Sequence, residues 1–172
     1  MIVVEPEEGL PRVDREFYIG QNEAYTKQRP GTPGPREFDF DAILREEPSY
    51  VIFNGAFNAL TRERFGAMQA KVGETVRVFM VNTGPNLLSS LHPIGNIWSR
   101  AWMLGALASP AMRFSQSVPV PAGNAIVADM ELPVPPIIKI VDHALTRAVS
   151  KGAVAEIVVT GESNPEIFKA GT

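Results

Sequence analysis

The stretch Thr75–Asn82, Thr-Val-Arg-Val-Phe-Met-Val-Asn, decides the fold class. Alternation places Val76, Val78 and Met80 on one face and Thr75, Arg77, Phe79 and Val81 on the other. Side chains two residues apart share a face in an extended chain, so the stretch reads as a β-strand. The second face is only partly polar, which predicts a strand covered on both sides. Turn signals bound it: Val72-Gly73-Glu74 before, and Asn82-Thr83-Gly84-Pro85-Asn86 after.

The same pattern recurs outward from this strand. Towards the N-terminus, Tyr50–Phe53 is a strand followed by the strong turn signal Asn54-Gly55. Residues 40–47 suit a short helix that Pro48 stops. Residues 26–37 (TKQRPGTPGPRE) are rich in Pro, Gly and charge and read as a surface loop. Residues 15–21 are a further strand, and residues 2–4 a short apolar one ended by Pro6.

Towards the C-terminus, residues 87–91 form an apolar run into His92. Residues 113–118 read as a strand broken by Pro119-Val120-Pro121-Ala122-Gly123, and Asn124–Glu131 as its continuation. Residues 137–141 run into Asp142-His143. Residues 144–150 allow about two helical turns, closed by Lys151-Gly152 as a C-cap. Residues 153–160 are a last apolar strand. About eight short strands and one or two short helices predict an all-β protein, a Greek-key β-sandwich or barrel. The expected division is one domain over 1–160 with a polar tail over 161–172, and no internal repeat or low-complexity segment appears.

The bulk numbers agree with this. A chain of 172 residues, 45% hydrophobic, is long enough for one real core. Fifteen prolines and fourteen glycines suit short strands and turns better than long helices. The net charge is -3 and the sixteen basic residues are scattered, so no basic face is available for nucleic acid. No apolar run reaches the roughly 18 residues a transmembrane helix needs. Met1-Ile2-Val3-Val4-Glu5-Pro6 lacks the basic start of a signal peptide. It reads as an abrupt beginning, as if preceding sequence were missing.

The chain has no cysteine, which removes disulfides, thiolate ligands and a cysteine nucleophile. It has two histidines, His92 and His143, each expected at the end of an apolar strand. Packed neighbours there hold an imidazole rigid while it faces outward, as a metal ligand or proton donor requires. The plain alternative for each is an ordinary surface or core histidine. Two histidines fall short of the three or four ligands that a tight zinc or copper site uses. A blue-copper centre needs a thiolate, and a trinuclear oxidase site needs His-X-His pairs, which are absent. No Gly-X-Ser-X-Gly elbow and no phosphate-binding loop occurs. On residues alone, the reading ends at a β-sandwich with two candidate histidines.

Several stretches, taken in order, resemble the second, C-terminal cupredoxin domain of copper-containing nitrite reductases. They are VVEPEEGLPRVDREFY (3–18), Tyr25-Thr26, YVIFNG (50–55), KVGETVRVF (71–79), GPNLLSSLHPIG (84–95), VPAG (120–123), VDH (141–143) and KGA (151–153). The separation of the histidines, 143 minus 92, or 51 positions, agrees with that family.

The resemblance implies a cupredoxin-like fold and a role for each site residue. His143 matches the one type 2 copper ligand that this domain supplies, and His92 the histidine that delivers protons. Ile94 matches the apolar side chain over the copper that restricts how nitrite sits, and Ser117 a hydroxyl that hydrogen-bonds the proton-donating histidine. Ile94 as core packing and Ser117 as a solvated strand residue are the bland readings. The implied reaction reduces nitrite to nitric oxide with one electron and two protons and releases water. Imidazole suits proton delivery near neutral pH.

The resemblance further implies a periplasmic homotrimer served by a small electron-donor protein, with no membrane span and no nucleic acid. The type 1 copper, its cysteine and two type 2 histidines belong to a first cupredoxin domain absent from this chain. Activity is therefore expected only with that domain or a chain carrying it, the type 2 copper being shared between them. The alternative is a catalytically silent trimeric scaffold or interaction domain. Three departures from the family stand out: Pro93 after His92, the divergent segment 96–112, and Gln116 in place of a common acidic residue.

Overall fold

Thr75–Asn82 is strand β4 in the computed structural model, which describes residues 1–169. Before it come β1 (Arg15–Ala24), helix α1 (Phe40–Leu44), β2 (Tyr50–Phe53) and β3 (Met68–Lys71). After it come β5 (Ser89–Ile94), β6 (Trp98–Trp102), β7 (Met112–Ser115), β8 (Val118–Val120) and β9 (Asn124–Glu131). A 3-10 turn at Met103–Gly105 follows β6, and the remaining elements are β10 (Ile137–Asp142), helix α2 (Leu145–Lys151) and β11 (Val154–Thr160).

The strands form two mixed sheets that pack as a β-sandwich. One has the order β2-β1-β4-β9-β6-β7 and the other β3-β11-β10-β5-β8. Only β1 with β4 and β11 with β3 pair in parallel; the other pairs are antiparallel. Alternate residues of the facing strands meet in one core, with Ile19, Met80, Trp98, Ile126, Ile138 and Ile157 fully buried. Burial of this apolar area is the main force holding the sheets together.

β4 is covered on both faces, as its sequence predicts. Its other face carries Phe79, which joins Trp102 and Val127 in a second buried cluster. The cover is the N-terminal segment, through Val3 and Leu10, with Leu107 and Ala111. Residues 2–4 are therefore not a strand, contrary to expectation. They lie across a sheet face, where side chains make the contact and no backbone edge is offered for pairing. Arg77 pins this segment by donating from Nη2 to the Pro11 carbonyl at 2.8 Å. The same guanidinium forks onto the buried Asp129 at 2.7 and 2.9 Å.

Other departures have local causes. Helix α1 is capped by Asp39, whose carboxylate accepts from the Ala42 N–H, and it stops at Leu44, short of residue 47. The expected strand 113–118 is split into β7 and β8 at Gln116-Ser117, and the expected break does not begin at Pro119, because Pro119 and Val120 continue β8 and pair with β5. Strands β3 and β6 were not expected. β3 is only four residues, with Met68 and Ala70 turned to the core and Gln69 and Lys71 to solvent, and it pairs with β11. β6 comes from the divergent segment 96–112 and carries Trp98 into the core. Helix α2 ends on Gly152 with φ 96°, as a glycine C-cap requires. The last three positions of the 161–172 tail lie outside the described residues.

Candidate functional site

Strand β5 buries Ser89, Leu91 and Pro93 and turns Ser90, His92 and Ile94 to its outer face. His92 is thus within the strand rather than at its end. β5 runs antiparallel to β10, with Val141 opposite His92 and Asp142 opposite Leu91. β10 ends at Asp142, and the next N–H, that of His143, donates to the Ser90 carbonyl at 2.8 Å. This register brings two histidines distant in sequence together. Their ring centroids are 5.1 Å apart and the planes meet at 76°, edge to face.

The two imidazoles are held differently. His92 Nδ1 lies 2.5 Å from the carbonyl oxygen of Gln116. A carbonyl only accepts, so Nδ1 carries the hydrogen of this bond. The break between β7 and β8 is what puts this carbonyl there. His143 is exposed, and its ring makes no hydrogen bond among the described residues. Its backbone is tied down while its lone pair stays available.

Ile94, 40% exposed, stands one outward position beyond His92. Ser117 shares a hydroxyl–hydroxyl bond of 2.6 Å with Ser90. The hydrogen bond to His92 comes from the residue before it, as a backbone carbonyl. Gln116 departs from the family in its side chain, which is exposed, so the departure leaves the partner of His92 intact. Pro93 is accommodated too. β8 accompanies β5 only from Ser89 to Leu91, so β5 is an edge beyond that point and tolerates a residue without an N–H.

Three supports escaped sequence reasoning. The Gln116 carbonyl is backbone and leaves no residue-type signal. Trp98 donates from its indole N–H to the Leu91 carbonyl at 3.2 Å, steadying the strand beside His92. Asp142 is fully buried beside His143; its position before that histidine was the one available hint.

The donors fit a metal only as a partial set. Among the described residues no three His, Cys, Asp or Glu side chains converge. The 550 Å³ groove lined by Gly95, Pro136 and Phe168 takes in neither histidine. A single free imidazole on a rigid backbone suits a ligand that completes a site built largely by another chain or domain.

No family model matches the chain. A copper-containing nitrite reductase of Neisseria meningitidis, serogroup A, is 44% identical over 168 residues, 98% of this chain. The chain is a homologue of copper-containing nitrite reductases. It spans less than half of that relative, 42% of its length, consistent with a C-terminal domain. A copper nitrite reductase structure from Nitrosomonas europaea superposes with a TM-score of 0.77 at 38% identity, over 91% of this chain and 53% of that one. A nitrite reductase from Thermus scotoductus SA-01 has a TM-score of 0.73 at 23% identity, over 89% of this chain and 32% of that one, and speaks to the fold alone. Among the described residues no helix is long and apolar enough to cross a membrane.

Proposed function

We propose that this chain is the second cupredoxin domain of an enzyme reducing nitrite to nitric oxide. His143 supplies one type 2 copper ligand at an interface with a first cupredoxin domain, and His92 handles protons. The observation that carries this reading is the pair of imidazoles 5.1 Å apart on one face, one tied through Nδ1 and one with its ring free. It stands in a chain 44% identical to a copper-containing nitrite reductase.

The conversion takes up one electron and two protons and releases water. Copper, when bound, supplies Lewis acidity towards the anion and the route for the electron. This chain's residues then have separate tasks. His143 offers a neutral lone pair from a fixed backbone. His92 holds a proton at Nε2, and the Gln116 carbonyl keeps the ring from turning. Ile94 presents an apolar surface beside the histidine, restricting water and the pose of a small anion. Ser117 acts one step back, bonding Ser90 on the strand that carries His92. The assembly is a homotrimer in the periplasm, with type 1 copper in the first domain and a small electron-donor protein serving it.

The test uses two variants of the assembled enzyme. His143→Ala is expected to empty the type 2 site, and full type 2 copper in that variant would end the ligand assignment. His92→Asn is expected to keep copper and lower turnover about 100-fold or more, the range for loss of a general acid. Unchanged turnover in it would remove the proton role. A chain that trimerises without copper and ignores any type 1 copper partner would favour the silent scaffold.

A further inference from the structure

We propose that Asp142 and Arg147 form a clamp that fixes the backbone carrying His143, which makes both of them positioning residues for the ligand. The inference rests on the reading of His143 given above. Asp142 is fully buried although it is a carboxylate. Removing such a group from water is costly unless each lone pair finds a donor. Here Oδ1 accepts from the Ser90 N–H at 3.2 Å and from the Ala144 N–H at 3.1 Å. Oδ2 accepts from Arg147 Nη1 at 2.8 Å. The same Nη1 donates to the Leu88 carbonyl at 2.6 Å.

These bonds join three elements around one residue. The start of β5 is held at Leu88 and Ser90, the end of β10 at Asp142, and the first turns of α2 at Ala144 and Arg147. His143 lies inside this frame, and its N–H goes to the carbonyl of Ser90, the residue whose N–H meets Asp142. With no hydrogen bond of its own among the described residues, the His143 ring has its position set through the backbone and its contact with the His92 ring. A metal ligand shared across an interface must be held to a fraction of an ångström, because the other ligands come from elsewhere.

Two roles can be separated. If Asp142 only caps the turn, its bonds to Ser90 and Ala144 are enough and Arg147 is dispensable. If it is half of a clamp, losing the Arg147 cation leaves a buried carboxylate short of a partner and loosens the frame.

The experiment measures type 2 copper affinity by chelator competition, and the type 2 EPR signal, in the assembled enzyme. Arg147→Gln and Arg147→Lys are compared with the parent. Amide hydrogen exchange at His143 is followed in the full chain. The clamp predicts that Arg147→Gln weakens copper at least tenfold, a loss typical for residues that orient ligands. It further predicts an altered type 2 signal, an unchanged type 1 signal and faster exchange at His143. Arg147→Lys keeps a cation within reach and should restore most of each property. Parent-like copper affinity and EPR signal in Arg147→Gln would overturn the clamp. If Arg147→Gln fails to assemble, Arg147→Lys decides: parent-like behaviour supports the clamp, and a tenfold loss of copper with slow His143 exchange overturns it. Loss of copper in His143→Ala without loss in Arg147→Gln would sink the clamp alone. Full copper in His143→Ala would sink the ligand reading beneath it.

Discussion

Replacing Asp129 with Ala is expected to lower the thermal midpoint by about 6 to 20 °C. Asp129 is fully buried and accepts two bonds from Arg77, whose side chain is 3% exposed, while Arg100 Nε approaches at 3.2 Å. Removing one partner of a buried ion pair costs roughly 3–5 kcal/mol, because the other charge is left in a poor medium. A domain of this size loses roughly 2–4 °C per kcal/mol, which gives the stated range. Calorimetry or circular dichroism melts measure it. The structure adds a local consequence. Arg77 also holds the Pro11 carbonyl and lies 5.5 Å from the Trp102 ring, so the N-terminal cover should loosen with it. Trypsin should then cut faster after Arg12. A midpoint within 3 °C of the parent, with unchanged cleavage at Arg12, would refute the reasoning. Removing both charges in Arg77→Met with Asp129→Leu should recover part of the loss, since the buried Arg77 cation is no longer left unpaired; Arg100, 23% exposed, can turn towards water.

Two further perturbations test other parts of the fold. Gly152→Ala should destabilise by about 1–3 kcal/mol, because φ is 96° and a Cβ there would lie 2.8 Å from Phe57 Cδ2; a melt unchanged within error would contradict this. Tyr25 has its pKa pushed up to about 12, first by burial and then by its hydrogen bond to Glu23, against the ordinary value of 10.0. A raised folded pKa means the stabilisation is complete below pH 10 and is lost as pH climbs towards 12. Alkaline titration at 295 nm should show this phenol ionising late, and Tyr25→Phe should stay folded to higher pH. Loss of structure at the same pH in both proteins would show that Tyr25 is not the responsible group.

The strands were legible where alternation and turn signals coincide. Thr75–Asn82, Tyr50–Phe53 and Asn124–Glu131 occupy the expected residues, because burial on a pleated sheet imposes period two. Legibility failed where pairing partners decide. Residues 2–4 have a strand's composition but meet a sheet face instead of an edge. Residues 68–71 have little strand character and are recruited by β11. At the site, the two histidines stood out by residue type, whereas their 5.1 Å proximity is a product of the β5–β10 register. The Gln116 carbonyl was invisible because backbone atoms carry no residue identity. Ser117 was singled out as the hydroxyl beside His92; its own bond goes to Ser90.

The most direct test is a crystal structure of the complete enzyme with anomalous data collected at the copper edge. The proposed function predicts a copper peak about 2 Å from an imidazole nitrogen of His143, with two further imidazoles from another domain or chain and His92 close by without ligating. A fully loaded enzyme with no copper within ligating distance of His143 would contradict it.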